Sequence, residues 1–132
     1  MISSPRILRP FTVTLFHKVT DTFFVSIVLE HVGFDENYGI KQANKGISDI
    51  DSVLLTIDLS DCGDKKFVSE FEYKQKKDTF TIGNEDYFVI GNVKETDFDK
   101  LKEVMNVYNV NKFTTTRPVN TTDIQFIEIY AS

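Results

Sequence analysis

Tryptophan is absent from this chain, and cysteine, histidine, proline and alanine are scarce: one, two, three and two residues among 132. A lone Cys62 excludes an intramolecular disulfide and a thiolate cluster for a structural metal, and it points to a reducing compartment. His17 and His31 are the only imidazoles, too few for a metal site with matched ligand spacing. No apolar run approaches the roughly 18 residues that a membrane span needs, and the stretch from Met1 to Pro10 lacks the apolar centre of a signal peptide. Neither a membrane nor an export route is therefore expected. No glycine precedes the helical segment at Asp97, where Lys94-Glu95-Thr96 stands, so a phosphate-cradling loop is not expected either. No cofactor is implied.

A clustered basic surface is also missing. The formal net charge is −5, and twelve of the fifteen cations are scattered lysines, whereas a protein that neutralises nucleic-acid phosphates needs them gathered. The densest group, Lys74, Lys76 and Lys77 after Glu70 and Glu72, reads as a solvated strand end and turn.

Twelve Phe, five Tyr and many Val, Ile and Thr are present instead, a strand-favouring inventory. At 132 residues with 41% hydrophobic and 27% charged content, the chain has the size and composition of a single folded domain. From Phe11 the apolar period is two: Phe11, Val13 and Leu15 alternate with Thr12, Thr14 and Phe16, which describes a strand with one buried face. Thr22 to Val32 repeats the pattern more strongly, so the two strands are expected to form a hairpin. Val53 to Ser60 alternates again. Phe67 to Lys74 is a weaker strand, and Thr79 to Ile82 and Tyr87 to Val93 flank Gly83-Asn84-Glu85-Asp86 as an expected second hairpin. Phe98, Leu101, Val104 and Met105 recur at helical spacing within Asp97 to Met105, with Thr96 as a cap. Strands around Val107 to Thr116 and Ile124 to Tyr130 complete a mainly β fold: about seven strands in a barrel or sandwich, with one short helix near residues 97–105 laid across an opening.

Candidate chemistry is thin. Cys62 lies between Asp61 and Asp64, whose charges oppose a reactive thiolate. The pairs Asp49/Asp51 and Asp58/Asp61 read as solvated strand ends, and His17 as a satisfied structural residue. The aromatic residues read as core, because stacking platforms for single strands come with a positive groove. No enzyme is expected.

Two segments stand out from the strands. Residues 1–10 form an extended arm with two prolines and Arg6 and Arg9, expected to pack only against something outside the core, and Arg6, Ile7, Leu8 and Arg9 are its candidate contacts. The second is a long polar loop at residues 33–52, a length that usually signals function. Within it Asp35, Glu36, Asn37, Tyr38, Ile40, Lys41, Gln42, Asn44 and Lys45 form a candidate assembly interface, Tyr38 and Ile40 being apolar anchors in a polar segment.

The order of motifs resembles a family of small head-to-tail connector proteins of long-tailed phages and prophages. The resemblance spans about Phe11 to Ile129. It rests on the opening "VTLFHK", on "VLEHVGFDENYG", and on "ANKGISDIDSV" with Asn44, Gly46, Ile47, Asp51 and Ser52. It continues in "TIGNEDYFVIG" with Asp86 and Gly91, in "FDKLKEVMNVYNV", and in Gln125 to Ile129. The chain departs from the family pattern at Asp58-Leu59 and at Phe126 and Ile127. The resemblance implies a head-completion, stopper-like or minor tail-completion protein located in the virion and assembled in the bacterial cytoplasm. It implies a homo-oligomeric ring between portal or adaptor and tail proteins, monomeric until assembly, through which DNA passes without specific contact. The alternative reading is a small β-barrel that binds and modulates a host protein.

Overall fold

The computed structural model describes residues 6–38, 52–95, 97–117 and 125–132. Ordered along the chain are β1 (Phe11–Thr20), β2 (Phe23–Asp35), β3 (Val53–Asp58), β4 (Lys66–Phe67), β5 (Thr79–Phe80), β6 (Tyr87–Ile90), the helix α1 (Phe98–Val104), β7 (Tyr108–Thr116) and β8 (Phe126–Ala131). The protein is mainly β with one short α-helix among the described residues. Six strands pair in the order β1-β2-β3-β8-β7-β6, and β6 returns to β1, so the ladder closes. Two seams are narrow. β2 meets β3 only over Gly33–Asp35, and β6 meets β7 only at Tyr87 and Phe88. The barrel is accordingly flattened, two broad sheets joined at short corners, which gives it the build of a sandwich.

The interior follows the period-two pattern. Val13, Leu15, Leu29, Leu55, Ile57, Phe88, Ile127 and Ile129 point inward and are fully buried, as alternation on paired strands requires. The expectation of a single buried face fails for β1. Thr14 and Phe16 are as buried as their neighbours, because α1 lies on the outer wall rather than across an opening. Phe16 stacks on Tyr87 at 4.7 Å, Tyr87 meets Phe98 of the helix edge-on at 4.8 Å, and Leu101 is enclosed with them. The Thr14 hydroxyl is satisfied by donating to the Gly91 carbonyl at 2.6 Å and accepting from the Val93 N–H at 3.0 Å. Gly91 itself, at φ 118°, turns the chain where few other residues do so without strain. The helix is capped by Asp97, whose side chain accepts from the Asp99 N–H; Thr96 lies outside the described residues.

Three expectations are corrected in the middle of the chain. The weak strand at 67–74 shrinks to Lys66–Phe67, and Phe71 is 98% exposed. β5 pairs with β4 in parallel, so the second hairpin does not form; β6 belongs instead between β1 and β7. The loop that looked like a hairpin turn is shaped by its own acid, since the Asp86 carboxylate accepts the Gly83 N–H at 2.7 Å. Gly33 to Asp35, read as the start of the long loop, are the last residues of β2.

Candidate functional site

β3 ends at Asp58 for a local reason. Its carboxylate accepts the Ser60 N–H at 2.9 Å and the Ser60 hydroxyl at 2.6 Å, a side-chain turn that leads the chain off the sheet. Three residues on, Asp61 meets the arm. Arg6 donates to both Asp61 oxygens through Nε and Nη2 at 2.8 and 2.7 Å, a bidentate pair. Arg9 donates to the same carboxylate through Nη2 at 3.0 Å and to the His31 carbonyl through Nη1 at 2.6 Å, and Nη2 stands 3.9 Å from Asp58. Arg9 is 3% exposed and Asp58 1%. Hydrogen bonding from Arg6, reinforced by Arg9, holds the Asp61 carboxyl well below its ordinary range, and the same contact raises Arg6.

A bulge supplies the His31 carbonyl. Phe11 faces Val32 and Val13 faces Leu29, so β2 carries one residue more than β1 across this stretch, and His31 takes φ 58°. The re-aimed carbonyl receives Arg9.

Residues 6–9 therefore do not reach away as an extended arm. They form a short helical turn, Arg6–Leu8, fastened to their own barrel, and Asp58 and Asp61 are its receptor rather than solvated strand ends. Fastening by Arg6 and Arg9 leaves the residues between them facing outward: Ile7 is 86% exposed and Leu8 71%. The turn also crosses the β2–β3 seam, for a Cβ built on Gly33 would sit 3.6 Å from the Thr56 Cβ and 3.8 Å from the Leu8 carbonyl oxygen.

Two residues beyond Gly33 the second predicted element begins. Asp35 caps the end of β2 by accepting the Asn37 N–H at 3.0 Å; Glu36 and Asn37 are exposed. Tyr38 is half-buried with its ring 5.7 Å from that of Tyr130, which in turn lies beneath the Lys112 ammonium at 5.0 Å. Tyr38 is thus an anchor on its own barrel. Ile40, Lys41, Gln42, Asn44 and Lys45 lie outside the described residues, as do Asp49 and Asp51.

A second buried polar cluster lies elsewhere on the barrel. His17 Nδ1 is 2.8 Å from Asp86, and the same buried carboxylate accepts the Lys18 N–H at 3.0 Å; this hub was missed because Asp86 looked like one turn former among four. His17 and His31 do not converge, since His17 lies opposite Val25 while His31 sits in the bulge. No group of three or more metal-ligating side chains occurs among the described residues. Cys62 is buried, its thiol pushed up first by burial and then by Asp58. No helix of the described residues is long and apolar enough to cross a membrane.

Fold and surface together define a small, flattened antiparallel β-barrel protein whose N-terminal turn is pinned to one seam by buried charge. The chain belongs to the family of unknown function DUF6751, whose model matches residues 10–132. No curated protein and no solved structure matches it.

Proposed function

We propose that this chain is a non-enzymatic structural protein of the phage or prophage head-to-tail connector, assembling as a ring between portal and tail. One observation supports the reading most. The pinned turn and the start of the long loop meet at the same β2–β3 seam, and there Ile7 and Leu8 are held out in solvent by the two arginines that flank them. An apolar pair held in an exposed position contributes little to its own barrel but gains by being covered, and a neighbouring subunit is the covering a ring provides. The acidic net charge suits a conduit along which DNA slides without adhering.

The test is assembly. The mass of the purified chain is measured alone and with the neighbouring portal protein, and particles are imaged after deletion of the gene. A defined oligomer on the portal, lost in an Ile7→Ser/Leu8→Ser variant that still folds, supports the reading, as do filled heads without tails in the deletion. A chain that never joins the portal, and whose deletion leaves heads joined to tails, contradicts it.

A further inference from the structure

We propose that the open edge of β2 is a docking slot for an extended acidic peptide of a partner protein, added as a β-strand between β2 and β5. β2 is 13 residues long, yet β3 pairs with only its last three: pairing stops at Thr56, short of the bulge at His31, and β3 itself ends at Asp58. From Phe23 to Glu30 the strand has β1 on one edge and, among the described residues, no strand on the other. An unpaired edge offers a row of N–H and C=O groups to any chain that reaches it, and proteins commonly block such edges with Lys, Pro or a covering segment. Val25-Ser26-Ile27-Val28 contains neither Lys nor Pro.

A cavity of about 450 Å³ stands beside these four residues, and its far wall is the segment from Tyr73 to Thr81, which includes β5. β5 is paired on one side by β4, and no strand pairing joins it to β2. The slot thus has a strand on each side and none between.

Its chemistry selects the occupant. Lys65, Lys76 and Lys77 line it, a local excess of cations in a chain of net charge −5; the one carboxylate there, Asp78, is 3.8 Å from Lys65. Gln75 and Asp78 both adopt left-handed backbone, φ 58° and 62°, a conformation that L-residues with side chains disfavour and that recurs where a segment is shaped around a ligand. Strand addition supplies backbone pairing along β2, alternate apolar side chains toward Leu15 and Phe80, and acidic ones toward the lysines. This inference is independent of the connector reading.

The test titrates the isotopically labelled full chain with acetyl-(Val-Glu)4-amide and follows backbone amide resonances. Saturable shifts are expected at Val25 to Val28 and at Thr79 to Thr81. Binding should weaken roughly tenfold or more in Lys76→Glu/Lys77→Glu, whose sites are exposed, and should disappear when alternate peptide nitrogens are methylated, which removes donors but keeps charge. Equal binding by the methylated peptide, or by acetyl-(Val-Lys)4-amide, overturns the proposal, as does the absence of saturable shifts at millimolar peptide. Concentration-dependent protection of Val25 to Val28 without peptide would assign the edge to a second copy and overturn it equally.

Discussion

The two ends of β2 are built differently. At the C-terminal end Gly33 to Asp35 pair with β3, and Arg9 crosses the seam to bind the bulge carbonyl of His31 and the carboxylate of Asp61. At the N-terminal end Val25 to Val28 pair with β1 alone and face a cavity. Each end has one strand neighbour, but the first is also locked with charge by the chain's own residues, whereas the second faces a cavity. The contrast separates two ways a small barrel can carry an interaction: by pinning an exposed apolar pair on a rigid seam, and by leaving backbone unpaired along an edge.

The largest effect should come from the lock. Arg9→Ala removes the cation beside fully buried Asp58 and leaves Asp61 with Arg6 alone, and should cost about 3–5 kcal/mol in denaturant unfolding. A loss under about 1 kcal/mol would show that the finished end is no more firmly built than the open one. Ile57 is fully buried, whereas Ile27 only packs against the core along the cavity wall. Ile57→Ala should therefore cost about 2–5 kcal/mol and Ile27→Ala less, about 1–2 kcal/mol. Equal values would erase the difference between the two ends.

Acid should loosen the lock before the barrel. Asp61 is held below its ordinary value of 3.8, so its share of stability is present above that pH and is lost as pH falls from there toward the lowered value. Unfolding measured between pH 5 and 2 should be steeper in the native chain than in Asp61→Asn. Parallel profiles would mean that the pair does not outlast its exposure to solvent. The smallest effect belongs to Ile7→Ser/Leu8→Ser, expected within about 0.5 kcal/mol of the native chain, because neither side chain packs in the barrel.

Much of this was legible in the sequence. Period-two alternation located β1, β2 and β3 because each has an interior face, and the spacing of Phe98, Leu101 and Val104 located α1. What alternation cannot carry is pairing. β5 and β6 flank four turn-forming residues and read as a hairpin, but β6 fits between β1 and β7, and nothing in residues 79–93 announces that choice. The bulge at His31 is equally silent, since its left-handed backbone falls on a residue other than glycine. The receptor of the arm had a trace: two of the chain's three arginines stand at positions 6 and 9, and an acid pair with matching spacing, Asp58 and Asp61, begins at the last residue of β3. Reading Asp58 and Asp61 as solvated ends separated partners that only the closed ladder brings together. The open edge of β2 had no trace at all, for an unpaired backbone is a property of where β3 stops.

Amide hydrogen exchange along β2 tests the contrast most directly. The amides of Gly33 to Asp35 that are directed at β3 should exchange at rates near those of global unfolding, while alternate amides between Phe24 and Glu30, those directed away from β1, should exchange orders of magnitude faster. Uniform protection across the whole strand would contradict the account, since it would mean that the edge is already paired.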